Sequence, residues 1–237
     1  MHTDLSNSVV LITGAGGGIG RAAASALAQR GAGLYLTGRN TAKLNETASL
    51  CRSAAFVRII IADIQKEDAP EKIMSMVSGK LTCLINNAGF ARLKPLVQTS
   101  MTDLLAHFTV NAAAPFLLAR AAYNLLKQSG CGTIINIASV TAHQGYADQG
   151  AYTASKHAML GISKVMAREW QKDNIRVHVI SPGGVYTPMV AEMRSDLAAD
   201  ELMQPEDIAE IILFLLSHRT NAVIDEIQVR RAGKTPW

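Results

Sequence analysis

Short runs of apolar, often β-branched residues alternate along the chain with longer segments whose apolar residues recur at helical spacing. A continuous apolar run such as Val9-Val10-Leu11-Ile12 is typical of a strand that is buried on both faces of a parallel sheet. Repeated strand–helix units favour a doubly wound α/β fold, in which helices cover both faces of a mainly parallel, seven-stranded sheet. The predicted strands lie at 9–12, 33–39, 56–62, 81–85, 132–138, 175–180 and 223–229.

The length of the chain, 237 residues, suits one α/β domain of ordinary size. Neither repeats nor a linker composition divide it, so the sequence predicts one dinucleotide-binding domain over 1–237. A short, methionine-containing segment follows the sixth strand. We expect it to form a small lid over a ligand at about 186–203.

Composition narrows the possible partners. The net charge is +4, but the basic residues are scattered, so we do not expect a nucleic-acid partner. The spacing of Cys51, Cys83 and Cys131 fits neither a disulfide framework nor a metal site and favours a reducing compartment. The N-terminus lacks an apolar signal region, and no uninterrupted apolar run approaches the ~18 residues of a membrane span. These features predict a cytoplasmic protein without a membrane partner.

A glycine-rich turn joins the first strand to the first helix. It reads Thr13-Gly14-Ala15-Gly16-Gly17-Gly18-Ile19-Gly20, and it has both the preceding strand and the following helix that a phosphate-binding turn requires. Glycines there let a phosphate approach the backbone and rest on the helix N-terminus. A flexible surface turn is the alternative interpretation.

The choice of dinucleotide depends on the end of the second strand. An acidic residue ~20 positions past the glycines usually holds the ribose 2′-hydroxyl of NAD. Here the chain reads Gly38-Arg39-Asn40, and a guanidinium suits a 2′-phosphate better. The sequence therefore favours NADP over NAD, although Arg39 could also be a solvent-exposed residue at a helix start.

Polar residues follow the third and fourth strands. Asp63 either caps the next helix or meets an adenine ring. Asn87, Ala88 and Gly89 fit ligand binding beside the switch point of an open sheet, but they also fit an Asx turn. A long helix is predicted at 102–127, in which Pro115 cannot bond to the carbonyl oxygen of Asn111. We expect that freed oxygen to bind a water.

Tyr152 and Lys156 stand four residues apart at the start of another predicted helix, so they share one face. An ammonium ~6 Å from the phenol would favour the phenolate by ~2 pK units, which predicts a tyrosine pKa near ~8 and a general acid or base. Ser139 ends the fifth strand, one loop before Tyr152. His143, Tyr146 and Asp148 on that loop are interpreted as solvated residues.

Together these residues resemble the short-chain dehydrogenase/reductase family, in its compact single-domain branch, over nearly the whole chain. The resemblance implies a Rossmann-type fold that binds a nicotinamide dinucleotide and acts on a small-molecule carbonyl or alcohol. The matching positions are Thr13-Gly14-x-x-x-Gly18-Ile19-Gly20, Asp63, Asn86-Asn87-Ala88-Gly89, Asn111, Ser139, Tyr152-x-x-x-Lys156 and Pro182-Gly183.

The resemblance also implies roles for these residues. Tyr152 would exchange a proton with the substrate oxygen, Ser139 would orient that oxygen, Lys156 would bind the nicotinamide ribose, and Asn111 would hold a relaying water. Asp63 would contact the adenine, Asn87 the adenosine ribose, and residues 185–187 the nicotinamide amide. The expected dinucleotide contacts are Gly14, Gly16, Gly17, Gly18, Ile19, Gly20, Arg39, Asp63, Ile64, Asn87, Ala88, Gly89, Tyr152, Lys156, Pro182, Gly183, Val185 and Thr187.

Two alternatives and one departure remain open. An NAD-linked alcohol or hydroxysteroid-type dehydrogenase would use the same residues, and a non-catalytic dinucleotide sensor would use only the binding part of them. Many relatives end in a strand followed by Asp-Gly-Gly, which joins subunits in tetramers, whereas this chain reads Asp225-Glu226-Ile227-Gln228-Val229-Arg230-Arg231. A homo-oligomer is expected, as a dimer or a tetramer, but not necessarily through that segment.

Overall fold

A computed structural model describes residues 5–193 and 198–235 of the chain. Its centre is a seven-stranded sheet in the order β3-β2-β1-β4-β5-β6-β7, and every pair of neighbouring strands is parallel. The predicted doubly wound α/β class is thus confirmed. The strands are β1 (Val9–Thr13), β2 (Gly33–Gly38), β3 (Phe56–Ile61), β4 (Cys83–Asn86), β5 (Thr133–Ile137), β6 (Arg176–Pro182) and β7 (Glu226–Val229).

The strands alternate their side chains between two hydrophobic cores, one on each face of the sheet. In β1, Val10 and Ile12 belong to one core and Leu11 to the other, and all three are completely buried. Burying a side chain of this size stabilises the fold by about 1.5–3 kcal/mol. An uninterrupted apolar run is what such a strand needs, because no face of it meets water.

Helices cover both faces. Residues of α1, α2 and α8 complete the first core, and residues of α3, α5 and α6 complete the second. The helices are α1 (Gly18–Ala28), α2 (Thr41–Leu50), α3 (Ala69–Met76), α4 (Met101–Phe108), α5 (Ala114–Gln128), α6 (Gly150–Trp170), α7 (Pro188–Met193) and α8 (Pro205–Ser217).

The long helix predicted at 102–127 is found, but it is not a uniform α-helix. A π-helical turn, Thr109–Ala113, separates α4 from α5, and Pro115 follows directly at the second position of α5. The irregularity lies where the missing proline N–H predicted it, and it takes the form of a wider turn.

The stretch Met101–Gln128 is also long and apolar enough to cross a membrane, by length and composition. Such a test is passed by core helices of globular proteins as well. Here the stretch packs against α3 and α6, and several of its side chains belong to the second core. It is therefore explained as an interior helix of the α/β fold.

The last strand begins later than predicted, at Glu226, because residues 223–225 make no ladder with β6. More important for function is the centre of the sheet, where β1 pairs with β2 on one side and with β4 on the other. The chain direction of the crossovers reverses there, and this leaves a crevice at the carboxyl ends of the strands.

Candidate active site

The crevice holds a cavity of about 560 Å³. Its walls bring together nearly all the predicted site residues, although they are spread from position 14 to position 187. Gly20 and Asn111 are the two that do not line it. The predicted residues that do are Gly14, Gly16, Gly17, Gly18, Ile19, Arg39, Asp63, Ile64, Asn87, Ala88, Gly89, Ser139, Tyr152, Lys156, Pro182, Gly183, Val185 and Thr187.

The glycine turn forms one wall and admits no larger residue at its key positions. Gly14 and Gly18 have φ values of +65° and +50°, which favour glycine. A Cβ on Gly18 would lie 2.8 Å from the Thr187 methyl group, and one on Gly20 would collide with the carbonyl oxygen of Gly14. Gly20 therefore serves the turn by its size, since it does not face the cavity.

The first turn of α1 is open to an anion. Gly17 precedes the helix without a side-chain cap, and no acidic residue lies in the first turn. Backbone N–H groups at a helix N-terminus need an acceptor, and together with the helix dipole they favour negative charge. The turn thus fits the pyrophosphate of a dinucleotide.

Asn87 holds the glycine turn against the end of β4. Its Nδ2 donates to the carbonyl oxygens of Thr13 (2.9 Å) and Gly14 (3.2 Å). In return, Thr13 Oγ1 accepts from the backbone N–H groups of Asn87 and Ala88, each at 3.0 Å. Because its amide nitrogen is engaged in this way, Asn87 has only its side-chain oxygen for the ribose contact that the family resemblance implies.

The far end of the cavity carries two cations. Arg39 is exposed and makes no hydrogen bond or ion pair with the rest of the described chain. Lys43, in the first turn of α2, lines the same wall and is also exposed. Sequence reasoning missed Lys43, because Arg39 lies outside the helix and no local spacing rule relates the two residues.

Asp63 caps a turn and not a helix. Its Oδ1 accepts from the backbone N–H of Gln65 at 3.1 Å, and α3 begins only at Ala69. The interpretation of Asp63 as a helix cap is therefore wrong. Its place on the cavity wall keeps the adenine contact as a prediction.

Ser139, Tyr152 and Lys156 meet on the wall next to the glycine turn. Ser139 and Tyr152 both line the cavity, and their side chains are close enough to interact. Lys156 Nζ donates to the carbonyl oxygen of Ile137 at 2.9 Å and lies 5.8 Å from the centre of the Tyr152 ring. The spacing of four residues on α6 thus puts the two side chains side by side, as predicted.

The electrostatics of this group differ from the sequence-based expectation. Burial raises the pKa of Tyr152, and the interaction with the Ser139 side chain opposes this only in part. Burial also lowers the pKa of Lys156 from 10.5 to about 8. The predicted drop of the tyrosine pKa to ~8 is not found, because desolvation disfavours the charged form of both groups and outweighs their mutual attraction.

Asn111 does not line the cavity but holds Phe90, a residue of its wall. It is fully buried in the π-helical turn, and its side chain holds both backbone groups of Phe90, accepting from the N–H and donating to the carbonyl oxygen at 2.8 Å each. Its Nδ2 also donates to Ser155 Oγ on α6 at 3.0 Å. The sequence pointed to the backbone of Asn111 but not to this side-chain contact, and the bound water stays a prediction.

The loop between Ser139 and Tyr152 is tied to the C-terminal end of the chain. His143 Nε2 lies 2.5 Å from Glu226 Oε1, and Lys234 Nζ donates to Tyr146 Oη at 2.6 Å. The interpretation of His143 and Tyr146 as solvated residues is therefore incomplete: His143 is exposed and neither residue lines the cavity, but both side chains have partners. Glu226 and Lys234 lie more than 80 positions away from them, beyond any local pattern.

A parallel doubly wound sheet with an anion cradle and a serine–tyrosine–lysine group defines a dinucleotide-dependent oxidoreductase. The family model described as short chain dehydrogenase matches residues 8–198. The chain belongs to the short-chain dehydrogenase/reductase family and is an enzyme of that family, an oxidoreductase that uses a nicotinamide dinucleotide.

Among similar proteins, a tropinone reductase homolog of Arabidopsis thaliana is 31% identical over 225 residues, which are 89% of this chain and 85% of that protein. Carbonyl reductase family member 4 of Xenopus laevis is 29% identical, with 89% and 91% covered. An alcohol dehydrogenase structure from the archaeon Thermococcus sibiricus, complexed with 5-hydroxy-NADP, is 25% identical, with a TM-score of 0.89 over 97% of this chain and 99% of that one.

Proposed function

We propose that this enzyme is an NADP(H)-dependent carbonyl reductase, which transfers hydride between the nicotinamide and a carbonyl or secondary alcohol. The observation that carries the proposal is the adjacency of two features on one cavity: the anion cradle of the glycine turn, and the group formed by Ser139, Tyr152 and Lys156. When bound, the dinucleotide supplies or accepts the hydride.

Tyr152 is the proposed general acid and base. Its raised pKa keeps the phenol protonated at neutral pH, which suits donation of a proton to the oxygen of a carbonyl substrate. Ser139 Oγ orients that oxygen by a hydrogen bond. In the oxidative direction the same tyrosine accepts the proton of the alcohol.

Lys156 and Asn111 support this transfer. A lysine with a pKa of about 8 is still mainly protonated at pH 7, so it can donate hydrogen bonds to the ribose hydroxyls of the cofactor. Asn111 fixes the cavity wall at Phe90, and its backbone oxygen is the proposed site of a relaying water.

NADP is the proposed cofactor because Arg39 and Lys43 place two unpaired cations at the far end of the cavity. A 2′-phosphate would bind between them, whereas NAD would leave them unused. Asp63 and Ile64 would contact the adenine. Pro182, Gly183, Val185 and Thr187 would bind the nicotinamide end.

The NAD-linked dehydrogenase is the second candidate, and a cofactor comparison separates it from the first. We expect the KM ratio of NADH to NADPH to be well above one for the native enzyme. It should fall at least tenfold in Arg39→Asp and less in Lys43→Met. Equal use of both cofactors by the native enzyme and by Arg39→Asp would refute the role given to Arg39.

The catalytic assignment is tested with Tyr152→Phe, which removes only the hydroxyl group. Turnover of any accepted carbonyl should fall at least ~100-fold, the usual contribution of a positioned general acid. Binding of NADPH, followed by its fluorescence, should persist. Unchanged turnover would refute the catalytic role of Tyr152 and would favour the hypothesis of a dinucleotide sensor.

Exposed apolar side chains support a homo-oligomer. Leu96 and Val97 precede α4, Met101 and Leu105 lie on it, and each is more than half exposed. Large apolar side chains that are exposed together in this way are typical of an interface. Light scattering of the purified enzyme should give at least a dimer mass, and a monomer would contradict the proposal.

The remaining sequence-based predictions are a single domain over 1–237, a lid at about 186–203 and a cytoplasmic location. Thr187 to Val190 line the cavity, and Tyr186 N–H donates to the Met203 carbonyl oxygen at 2.7 Å, which supports a lid that closes from this side. Residues 194–197 of the predicted lid lie outside the described part of the chain.

A further inference from the structure

His107 is a buried polar residue on α4, one turn before Asn111, with only 2% of its surface exposed. Both ring nitrogens have partners. Nδ1 lies 2.7 Å from the carbonyl oxygen of Asp103, and Nε2 lies 3.1 Å from the backbone nitrogen of Arg92. The imidazole therefore links α4 to the segment 90–92, which follows β4.

The partners determine the tautomer. A carbonyl oxygen can only accept, so Nδ1 must carry the hydrogen. The backbone N–H of Arg92 can only donate, so Nε2 must offer its lone pair. His107 is thus a neutral ring in one fixed orientation, and its acceptor satisfies an N–H group of the segment next to the cavity.

The ring also touches the cavity wall. Its centre lies 4.6 Å from that of Phe90 and 6.4 Å from that of Tyr152, and both of these residues line the cavity. His107 thus packs against Phe90, a residue of the wall, and lies next to the proposed general acid. A shift of this ring would move the Phe90 ring relative to Tyr152.

Other contacts hold the segment 90–92 only in part. Asn111 fixes the backbone of Phe90. Two residues further along, the Arg92 side chain is 65% exposed and forms a long ion pair of 3.9 Å with the Asp103 carboxylate. Exposed ion pairs of this kind contribute little. The bond from the Arg92 N–H to His107 is consequently the main buried restraint at that end.

We propose that His107 is a positioning residue for carbonyl reduction: by accepting from the Arg92 N–H, it fixes the Phe90 wall relative to Tyr152. The inference rests on the proposed reductase function. It makes the bond between His107 and Arg92 a determinant of carbonyl binding and turnover, and it leaves the glycine turn and the Arg39 end of the cavity unchanged.

Three substitutions isolate this bond. His107→Gln places an amide oxygen near the position of Nε2 and can still accept from Arg92. His107→Asn is too short to reach Arg92, and His107→Met fills the space without an acceptor. We expect His107→Asn and His107→Met to lower kcat/KM for the carbonyl about tenfold, because the Arg92 N–H loses its buried acceptor and no longer fixes the Phe90 wall. We expect His107→Gln to stay within threefold of the native enzyme, and the Kd of NADPH to stay within twofold in all three variants.

His218→Met is the matched control. Its Nδ1 also contacts the carbonyl oxygen four residues earlier, at 2.9 Å from Phe214, and its ring packs on Phe214 at 4.4 Å, but it is exposed at the end of α8. It should leave kcat/KM unchanged. If His107→Met does not fold, the comparison of His107→Gln with His107→Asn tests the proposal alone.

The proposal is overturned if His107→Asn and His107→Met leave kcat/KM at the native value. It also fails if His107→Gln is as impaired as they are, or if NADPH binding weakens in parallel with carbonyl turnover. A failure of the reductase function itself gives a different result, because Tyr152→Phe would then retain the activity of the native enzyme.

Discussion

Lys156 should make the free enzyme less stable than it would be with an apolar residue at this position. Its side chain is only 3% exposed, and burial lowers its pKa from 10.5 to about 8. At about 1.36 kcal/mol per pK unit, keeping the ammonium charged costs the folded state about 3 kcal/mol. Replacement by methionine removes this cost and loses one hydrogen bond to Ile137, worth about 1 kcal/mol. We therefore expect Lys156→Met to be about 2 kcal/mol more stable at pH 7.

The pH dependence has a defined sign. Between about 8 and 10.5 the unfolded chain holds the lysine proton and the folded chain does not, so the stability of the native enzyme rises with pH in this window. Below pH 8 the penalty is fully present. The advantage of Lys156→Met should therefore be largest at neutral pH and should shrink toward pH 10.

Thermal unfolding of the cofactor-free proteins, followed by circular dichroism, measures both effects. At about 2–4 °C per kcal/mol for a domain of this size, Lys156→Met should unfold about 4–8 °C higher at pH 7, although it should lose carbonyl reduction. Lys80→Met, at an exposed position, is the control and should leave the midpoint nearly unchanged. An equal or lower midpoint for Lys156→Met at pH 7, or an advantage that stays constant up to pH 10, would refute the reasoning.

Three further outcomes follow from the geometry. Gly18→Ala should destabilise the protein by about 1–3 kcal/mol in a denaturant titration, because the φ of +50° strains an alanine and the new Cβ meets the Thr187 side chain. The control Gly17→Ala has open space around its Cβ and should cost under about 1 kcal/mol in the same titration. Asn111→Ala should lower the free energy of unfolding by about 2–4 kcal/mol, because both backbone groups of Phe90 lose their partner. In a thiol titration of the native protein, Cys131 should react first, since the other two cysteines are buried and burial raises the pKa of both; fast reaction that persists in Cys131→Ser would contradict this.

The site shows where local patterns are sufficient. The glycine turn was predicted from its sequence because the positive φ of Gly14 and Gly18 and the close approach of the neighbouring backbone require glycine itself. Tyr152 and Lys156 were paired correctly because a spacing of four residues has one meaning on a helix. The sequence did not predict how their pKa values shift, because desolvation depends on what surrounds the pair.

Contacts between residues far apart in the chain could not be predicted from the sequence. Asn111 and His107 reach the segment 90–92 across 21 and 15 positions, and Lys234 reaches Tyr146 across 88. No periodicity records such contacts, because the side chains meet only after the strands have brought their loops to the same edge of the sheet. Helical spacing could not pair Lys43 with Arg39, which lies before α2, and only the cavity showed that both line the same wall.

By itself the sequence determined the order of strands and helices, the dinucleotide turn and the residues that make up the reactive group. These features depend on the spacing of apolar residues and on backbone conformation, and both are determined by residues that are close in sequence. Only the tertiary structure decided which partners hold the cavity wall. It also decided that burial, and not the attraction between Tyr152 and Lys156, dominates the pKa of both residues. Contacts between distant segments and the dielectric around a buried charge exist only once the two faces of the sheet are covered.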